Sequence, residues 1–312
     1  MECFLRPLDV GGWLWYHIKV STTSSSIPKR PQSSTSMKPI IKYQGGKTKE
    51  LPLIKKMLPP NITAVIEPFC GGAAVSWALN KPAVLNDINE DLINLYKVVK
   101  DSNTFQFDML LGAVNNLKDK EHDDLEKEYY NARDMLNQGT GLPLNRALAY
   151  IIVRQLCFSG MERYNSKGEF NVPFGHYKKF SCNLSEQHHL MMQSWQIHKC
   201  DFQYMFKFAH PTDLIFIDPP YIDRLGYTGG DGGDELHERL VEEMKTTKAK
   251  WMFIHSDHEF YREELKDFVW YEQDFGYSQR FGKDRDHSNA AVKHIYVTNY
   301  EHGFAKTPQL PI

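Results

Sequence analysis

Asp213-Leu214-Ile215-Phe216-Ile217-Asp218-Pro219-Pro220-Tyr221 decides how this chain folds. The apolar run ending in an acid reads as a buried strand, and the two prolines after it stop the strand and stiffen the turn. Upstream, Ala64-Val65-Ile66 is a short strand that runs into Glu67-Pro68-Phe69-Cys70-Gly71-Gly72. Ala83-Val84-Leu85-Asn86-Asp87 is another strand ending in an acid. Helical patterns follow both, from Ala73 to Asn80 and over residues 90–100. Trp251 to His255 and His294 to Thr298 fit further strands. Strands that alternate with helices predict an α/β fold with a doubly wound, mostly parallel sheet. Residues 102–157 carry helical periodicity without convincing strands, and residues 158–184, rich in Gly, Asn, Pro and aromatics, read as loops and hairpins. A helical, loop-rich insert therefore splits one domain.

Composition narrows the function classes. With 312 residues, 41% hydrophobic and 13% aromatic, the chain can bury a sizeable core and still spare rings for stacking. A net charge of −2 argues against a protein that coats nucleic acid, but not against a local basic groove. Cys3, Cys70, Cys157, Cys182 and Cys200 are scattered with no Cys-x-x-Cys pair, which speaks against a zinc site or a disulfide framework and for reduced, intracellular thiols. No apolar run is as long as a membrane span. Residues 21–36 are a polar, Ser/Thr-rich tract that cannot build a core and lacks the pattern of a secretion signal. The expected organisation is a disordered extension over 1–36, one α/β domain in two parts over 37–101 and 191–301, a helical, loop-rich insert over 102–190 and a tail over 302–312.

Three stretches carry chemistry. Glu67 to Ala73 sits at a strand-to-helix turn, where glycines admit a ligand close to the backbone and a helix N-terminus offers free N–H groups. It is neither the dinucleotide fingerprint nor a Walker loop, so the ligand is expected to lack phosphates. Asp87, about 20 residues on, is placed to bind two ribose hydroxyls. An ordinary tight turn and a helix-capping Asp fit the same residues. Tyr43-Gln44-Gly45-Gly46-Lys47 reads either as a loop folded over a nucleoside with an amino-acid tail or as a plain turn with a solvated lysine. Asp218-Pro219-Pro220-Tyr221 is the most specific. It lies at the carboxyl edge of the sheet and offers two acceptors, the Asp218 carboxylate and the Pro219 carbonyl, beside an aromatic face, Tyr221. That set suits a planar amino group.

From about Lys38 to Tyr300 the chain resembles the DNA adenine-N6 methyltransferases of the GATC-methylase, Dam-like class. Four stretches carry the resemblance: Lys42 to Lys47, Glu67 to Gly72, Arg163 to Gly175, and Asp218 to Tyr221, in the family's order. The resemblance implies a Rossmann-like domain that binds S-adenosylmethionine. Tyr43, Gly45, Gly46 and Lys47 would contact that cofactor, Glu67, Phe69 and Gly71 would line its methionine part, Asp87 would bind its ribose, and Asp201-Phe202 its adenine. Tyr43 replaces the family's usual tryptophan, Cys70 and Ala73 sit in the cofactor loop, Ser159 stands where asparagine is frequent, and His294 lies where an acid is common.

The implied reaction needs little covalent work from the protein. Asp218 and the Pro219 carbonyl, with Pro220 stiffening the loop, accept the two hydrogens of the adenine N6 amine. Its lone pair then points at the sulfonium methyl, while Tyr221 stacks on the base. The base must first be flipped out of the duplex. Gly226 to Gly233 reads as a lid over it or as a surface loop. Arg154, Phe158, Ser159, Arg163, Asn165, Lys167, Pro173, Tyr177 and Lys178 form the expected DNA-binding set, with Arg163 a guanine reader, and Arg280, Lys283 and Arg285 a second patch. Double-stranded DNA is the expected partner, with a cognate restriction enzyme if the chain is half of such a pair; neither metal nor membrane is expected. Competing readings are methylation of RNA or protein glutamine, and a non-catalytic DNA-binding descendant. A cytosine-C5 enzyme would need a Pro-Cys nucleophile, which is absent.

Overall fold

Strand β4 (Leu214–Ile217) is buried along its whole length, and its side chains divide between two layers. Leu214 and Phe216 pack with Ile54 and Met57 of helix α1 (Leu51–Met57) and Val75 of α2 (Ala74–Leu79). Ile215 and Ile217 pack on the other face, with Met205 and Phe206 of α8 (Gln203–Phe208), Leu240 of α9 (Asp234–Thr246) and Tyr261 of α10 (Glu259–Glu264). Apolar residues on both faces of one strand are what a sheet covered by helices on both sides requires. This computed structural model describes residues 36–222, 234–276 and 291–304. The 1–35 part of the expected extension, the expected lid at 226–233, the second basic patch at Arg280, Lys283 and Arg285, and the tail from 305 lie outside the described residues.

Among the described residues seven strands form one sheet, in the order β3-β2-β1-β4-β5-β7-β6. β1 is Val65–Glu67, β2 Ala83–Asn86, β3 Gln196–His198, β5 Lys250–Ser256, β6 Val269–Gly276 and β7 Ala291–Thr298. Only β7 runs antiparallel to its neighbours, β5 and β6. The fold is therefore Rossmann-like and doubly wound, as expected from the sequence, with β3 and β6 added to the strands read there. The chain leaves β1 toward β2 on one side and returns to β4 on the other, so the carboxyl ends of β1 and β4 flank the point where the winding reverses and a crevice opens. Glu67 ends β1 and Asp218 follows β4, which puts both carboxylates there.

The insert does not stand apart. Its helices are α4 (Thr104–Asn116), α5 (His122–Asn137), α6 (Pro143–Leu156) and α7 (Glu186–Met192). α6 packs against α5, α4 and α3 (Glu90–Asp101). Tyr129, Ile151 and Phe174 of the insert share one continuous core with Trp77, Leu85 and Leu92 of the sheet layers. The hairpin region is thin, with isolated bridges pairing Cys157 with Phe174 and Tyr164 with Phe170. Among the described residues no helix is long and apolar enough to cross a membrane.

At the open sheet edge one buried side chain ties three strand ends together. Asn86 donates from Nδ2 to the carbonyls of Pro68 and Cys200, both at 3.0 Å, and accepts from the Cys200 N–H at 3.0 Å. Asn86→Ala leaves these buried groups unpaired, at about 1–3 kcal/mol for such a group. Urea unfolding of that variant should register a loss of about 2–3 kcal/mol, and a loss under about 0.5 kcal/mol would mean that the strand ends hold themselves.

Candidate active site

A cavity of about 240 Å³ opens at the crevice and is lined by Tyr43–Lys47, Glu67–Val75, Asn86–Asn89, Glu162, Asp201, Phe202 and Asp218–Tyr221. All ten expected cofactor residues and all four of the Asp218 motif line this one space. The turn after β1 is built for close packing. Gly71 adopts φ +44°, and a Cβ there would come within 2.8 Å of the Tyr43 ring. The glycine is needed because the amino-terminal loop lies on it. Tyr96 donates its hydroxyl to the Gly71 carbonyl at 2.6 Å. Ala73, at φ +52°, takes a left-handed conformation that costs a non-glycine residue about 1 kcal/mol or more.

Two carboxyls flank the turn, Glu67 buried and Asp87 half-buried. Glu67 accepts the Ser76 N–H at 2.9 Å and the Ser76 hydroxyl, so it satisfies the start of α2 from the end of β1. Burial, aided by the Asp218 charge and opposed by those hydrogen bonds, pushes it up to about 7. Asp87 accepts the N–H groups of Gly71 and Asn89, each at 3.0 Å, and burial raises it to about 6. Ile88, 64% exposed, lines the cavity next to it. At the far end Asp201 accepts from Arg239 Nη2 at 2.6 Å, and the same guanidinium lies 5.2 Å from the Phe202 ring centre.

Lys47 links the two halves of the cavity. It is 3% exposed, and its Nζ donates to the Gly45 carbonyl at 2.8 Å and to Asp218 Oδ2 at 2.6 Å. Burial raises Asp218 above the ordinary carboxylate range, with the Lys47 cation opposing. Tyr221 stands edge-on to His255, ring centres 4.8 Å apart, and its hydroxyl lies 3.3 Å from His294 Nε2. His255 is fully buried and held down to about 3 by that burial, so the wall behind Tyr221 is a neutral imidazole.

The sequence matches the D12 class N6 adenine-specific DNA methyltransferase family over residues 43–278. The chain belongs to that family. The type II methyltransferase M.CviBI of Paramecium bursaria Chlorella virus NC1A is 31% identical to it over 275 residues, spanning 85% of this chain and 100% of the relative. The type II methyltransferase M.MjaIII of Methanocaldococcus jannaschii is 32% identical over 66% of this chain and 78% of its own length. A DNA adenine methylase of Haemophilus influenzae is 33% identical over 72% of this chain and 80% of its own.

In this methyltransferase the residues expected to meet DNA divide by exposure. Phe158 is 42% exposed beside Ser159, whose φ is +54°. Arg163, Lys167, Pro173 and Lys178 are exposed. Arg163 is braced from behind, with Nε donating to Asn171 Oδ1 at 2.7 Å and Nη2 to the Asn171 carbonyl at 3.0 Å. Half-buried Tyr177 carries Lys42 Nζ 4.1 Å above its ring. One expectation needs correction. Arg154 is 1% exposed and donates to the carbonyls of Lys42, Gly160 and Met161, with Glu162 3.6 Å away, so it orders the loop and does not reach a phosphate. Half-buried Asn165 accepts from the N–H groups of Lys167 and Glu169 and donates to the Glu169 carboxylate, so its amide also shapes the hairpin turn. Glu50, Asn86, Ile88, Glu162, Arg239 and His255 join the site or its support without having been singled out for it; among the described residues no group of three or more His, Cys, Asp or Glu could hold a metal ion.

Folded Glu67 keeps its proton up to about pH 7, whereas the unfolded chain releases it near about 4.3. Its contribution is complete below the unfolded value and is lost as pH rises through about 7. Glu67→Gln keeps an acceptor for Ser76 and cannot ionise. Thermal melts at about pH 5 and about pH 8 should show wild type losing more stability than the variant over that interval. Parallel changes in the two proteins would mean that Glu67 is ionised throughout.

Proposed function

We propose that this DNA adenine methyltransferase uses S-adenosylmethionine and acts on a flipped-out adenine in a short duplex site containing G-A-T, GATC being the site chosen. The observation that carries the reading is the junction of the cofactor-type cavity with Asp218-Pro219-Pro220-Tyr221 in one continuous space. The residues fit the cofactor. Asp87 and Asp201 are acceptors beside apolar walls, Ile88 and Phe202, as a nucleoside needs, and Gly45, with φ +76° and nothing near its missing Cβ, leaves the loop open to a ligand. When bound, S-adenosylmethionine supplies an electrophilic methyl group on a sulfonium. Tyr43, Gly46, Lys47, Glu67, Phe69 and Gly71 would hold its amino-acid end.

Asp218 accepts one N6 hydrogen and the Pro219 carbonyl the other, which holds the amine in place and draws its lone pair out of the ring. Lys47 opposes the effect of burial on Asp218, favouring the ionised form that can accept. Tyr221 stacks on the base, and the proton leaves after methyl transfer, so no strong base is required. On the DNA side, Phe158 on its left-handed loop offers an apolar face, Arg163 reads a guanine edge, and Lys167, Pro173, Tyr177 and Lys178 lie along the backbone. Such an enzyme works inside the cell wherever its DNA is, and a cognate restriction enzyme is the partner class to look for.

Asp218→Ala should abolish transfer, because the acid orients the target amine; near-normal turnover would overturn the mechanism. Arg163→Ala should relax selection at one guanine by roughly ten-fold, whereas Lys178→Ala should weaken all duplexes alike and flatten the salt dependence. Rates on duplexes changed one base pair at a time separate the two. Equal rates on duplexes with and without GATC would sink the site and leave adenine methylation standing.

A further inference from the structure

Glu50 and His294 come from opposite ends of the chain and meet behind Tyr221. Glu50 is 4% exposed, and His294 and Tyr296 are fully buried on β7. Glu50 Oε2 accepts the Tyr296 hydroxyl and lies 3.1 Å from His294 Nδ1. The opposite ring nitrogen, Nε2, lies 3.3 Å from the Tyr221 hydroxyl. Burial raises the Glu50 carboxyl, but His294, Lys47 and Tyr296 more than offset it and hold it below the ordinary carboxylate range. An ionised carboxylate can only accept, so His294 Nδ1 carries a proton toward Glu50 and the ring is turned with Nε2 toward Tyr221.

The same short segment grips both ends of the Asp218 motif. The Glu50 N–H donates to the Lys47 carbonyl at 2.9 Å, closing one tight turn. Lys47 takes Asp218 at one end of the motif, and Glu50, through His294, takes Tyr221 at the other. With its hydroxyl held by His294 and its ring edge against His255, Tyr221 has little freedom to swing. We propose that Glu50 and His294 are positioning residues that fix the plane of Tyr221, and through it the base on which methyl transfer occurs. This rests on the reading above that Tyr221 stacks on the target adenine.

A double-mutant cycle tests it. In the full-length enzyme, Glu50→Gln should lower kcat on duplex DNA by roughly ten- to a hundred-fold, with cofactor affinity within about two-fold of wild type. 2-Aminopurine at the target position should still be extruded by this variant but be less quenched than in wild type. In a Tyr221→Phe background, which lacks the hydroxyl, Glu50→Gln should add less than about two-fold. His294→Gln, run through the same cycle, keeps the test open if Glu50→Gln does not fold, and should behave in the same way. Losses that multiply in the Tyr221→Phe background, or that fall on cofactor affinity, would overturn the proposal. Wild-type turnover in Tyr221→Ala would instead overturn the reading of Tyr221 beneath it, and the proposal with it.

Discussion

The ion pair between Lys47 and Asp218 is the contact around which the site is organised. Asp218 stands at the end of a wholly buried strand, where a bare carboxylate is unfavourable. A lysine that is itself almost fully buried meets it at 2.6 Å. The Lys47 charge is the one shut away from solvent, while Asp218 keeps a fifth of its side chain exposed, and leaving such a buried cation without its partner is costly. The requirement draws the loop before the first strand across the sheet edge. There Tyr43 seals Gly71, and Glu50 reaches His294. One electrostatic demand thus places the amino-terminal loop, the glycine turn and the loop after β4 around a single cavity.

The division of labour follows from this geometry. The sheet edge supplies fixed acceptors, each anchored by backbone N–H groups or a buried partner. The insert supplies an exposed hairpin, and because it shares a core with the sheet, that hairpin is carried on a packed base. Glu162 marks the joint. It is hydrogen-bonded by Asn89 and Tyr164, its backbone N–H donates to Gln44 at 2.6 Å, and it lines the cavity beside Asp87.

Much of this was legible in the sequence because strand ends are local. An apolar run followed by Asp218-Pro219-Pro220 can end only one way, and Glu67 and Asp87 follow by the same reasoning. β6 escaped because Glu272, Gln273 and Asp274 interrupt its apolar residues, although pairing with β7 along eight positions stabilises it. β3 is a three-residue strand and leaves almost no pattern. Arg154 was misread because cations near aromatics look solvated. Its spacing from Ala147, Tyr150 and Ile151, all on the buried face of α6, was the available signal. Glu50, Glu162 and Arg239 could not have been read, since their partners lie far away in the chain and only the fold brings them together.

Adenine methylation by this site is tested most directly by nucleoside analysis of duplex DNA after incubation with the enzyme and S-adenosylmethionine carrying a deuterated methyl group. The label should appear in N6-methyldeoxyadenosine and in no other nucleoside, with none formed by the Asp218→Ala protein. Label on cytosine, or none in DNA when RNA or protein is methylated, would contradict it.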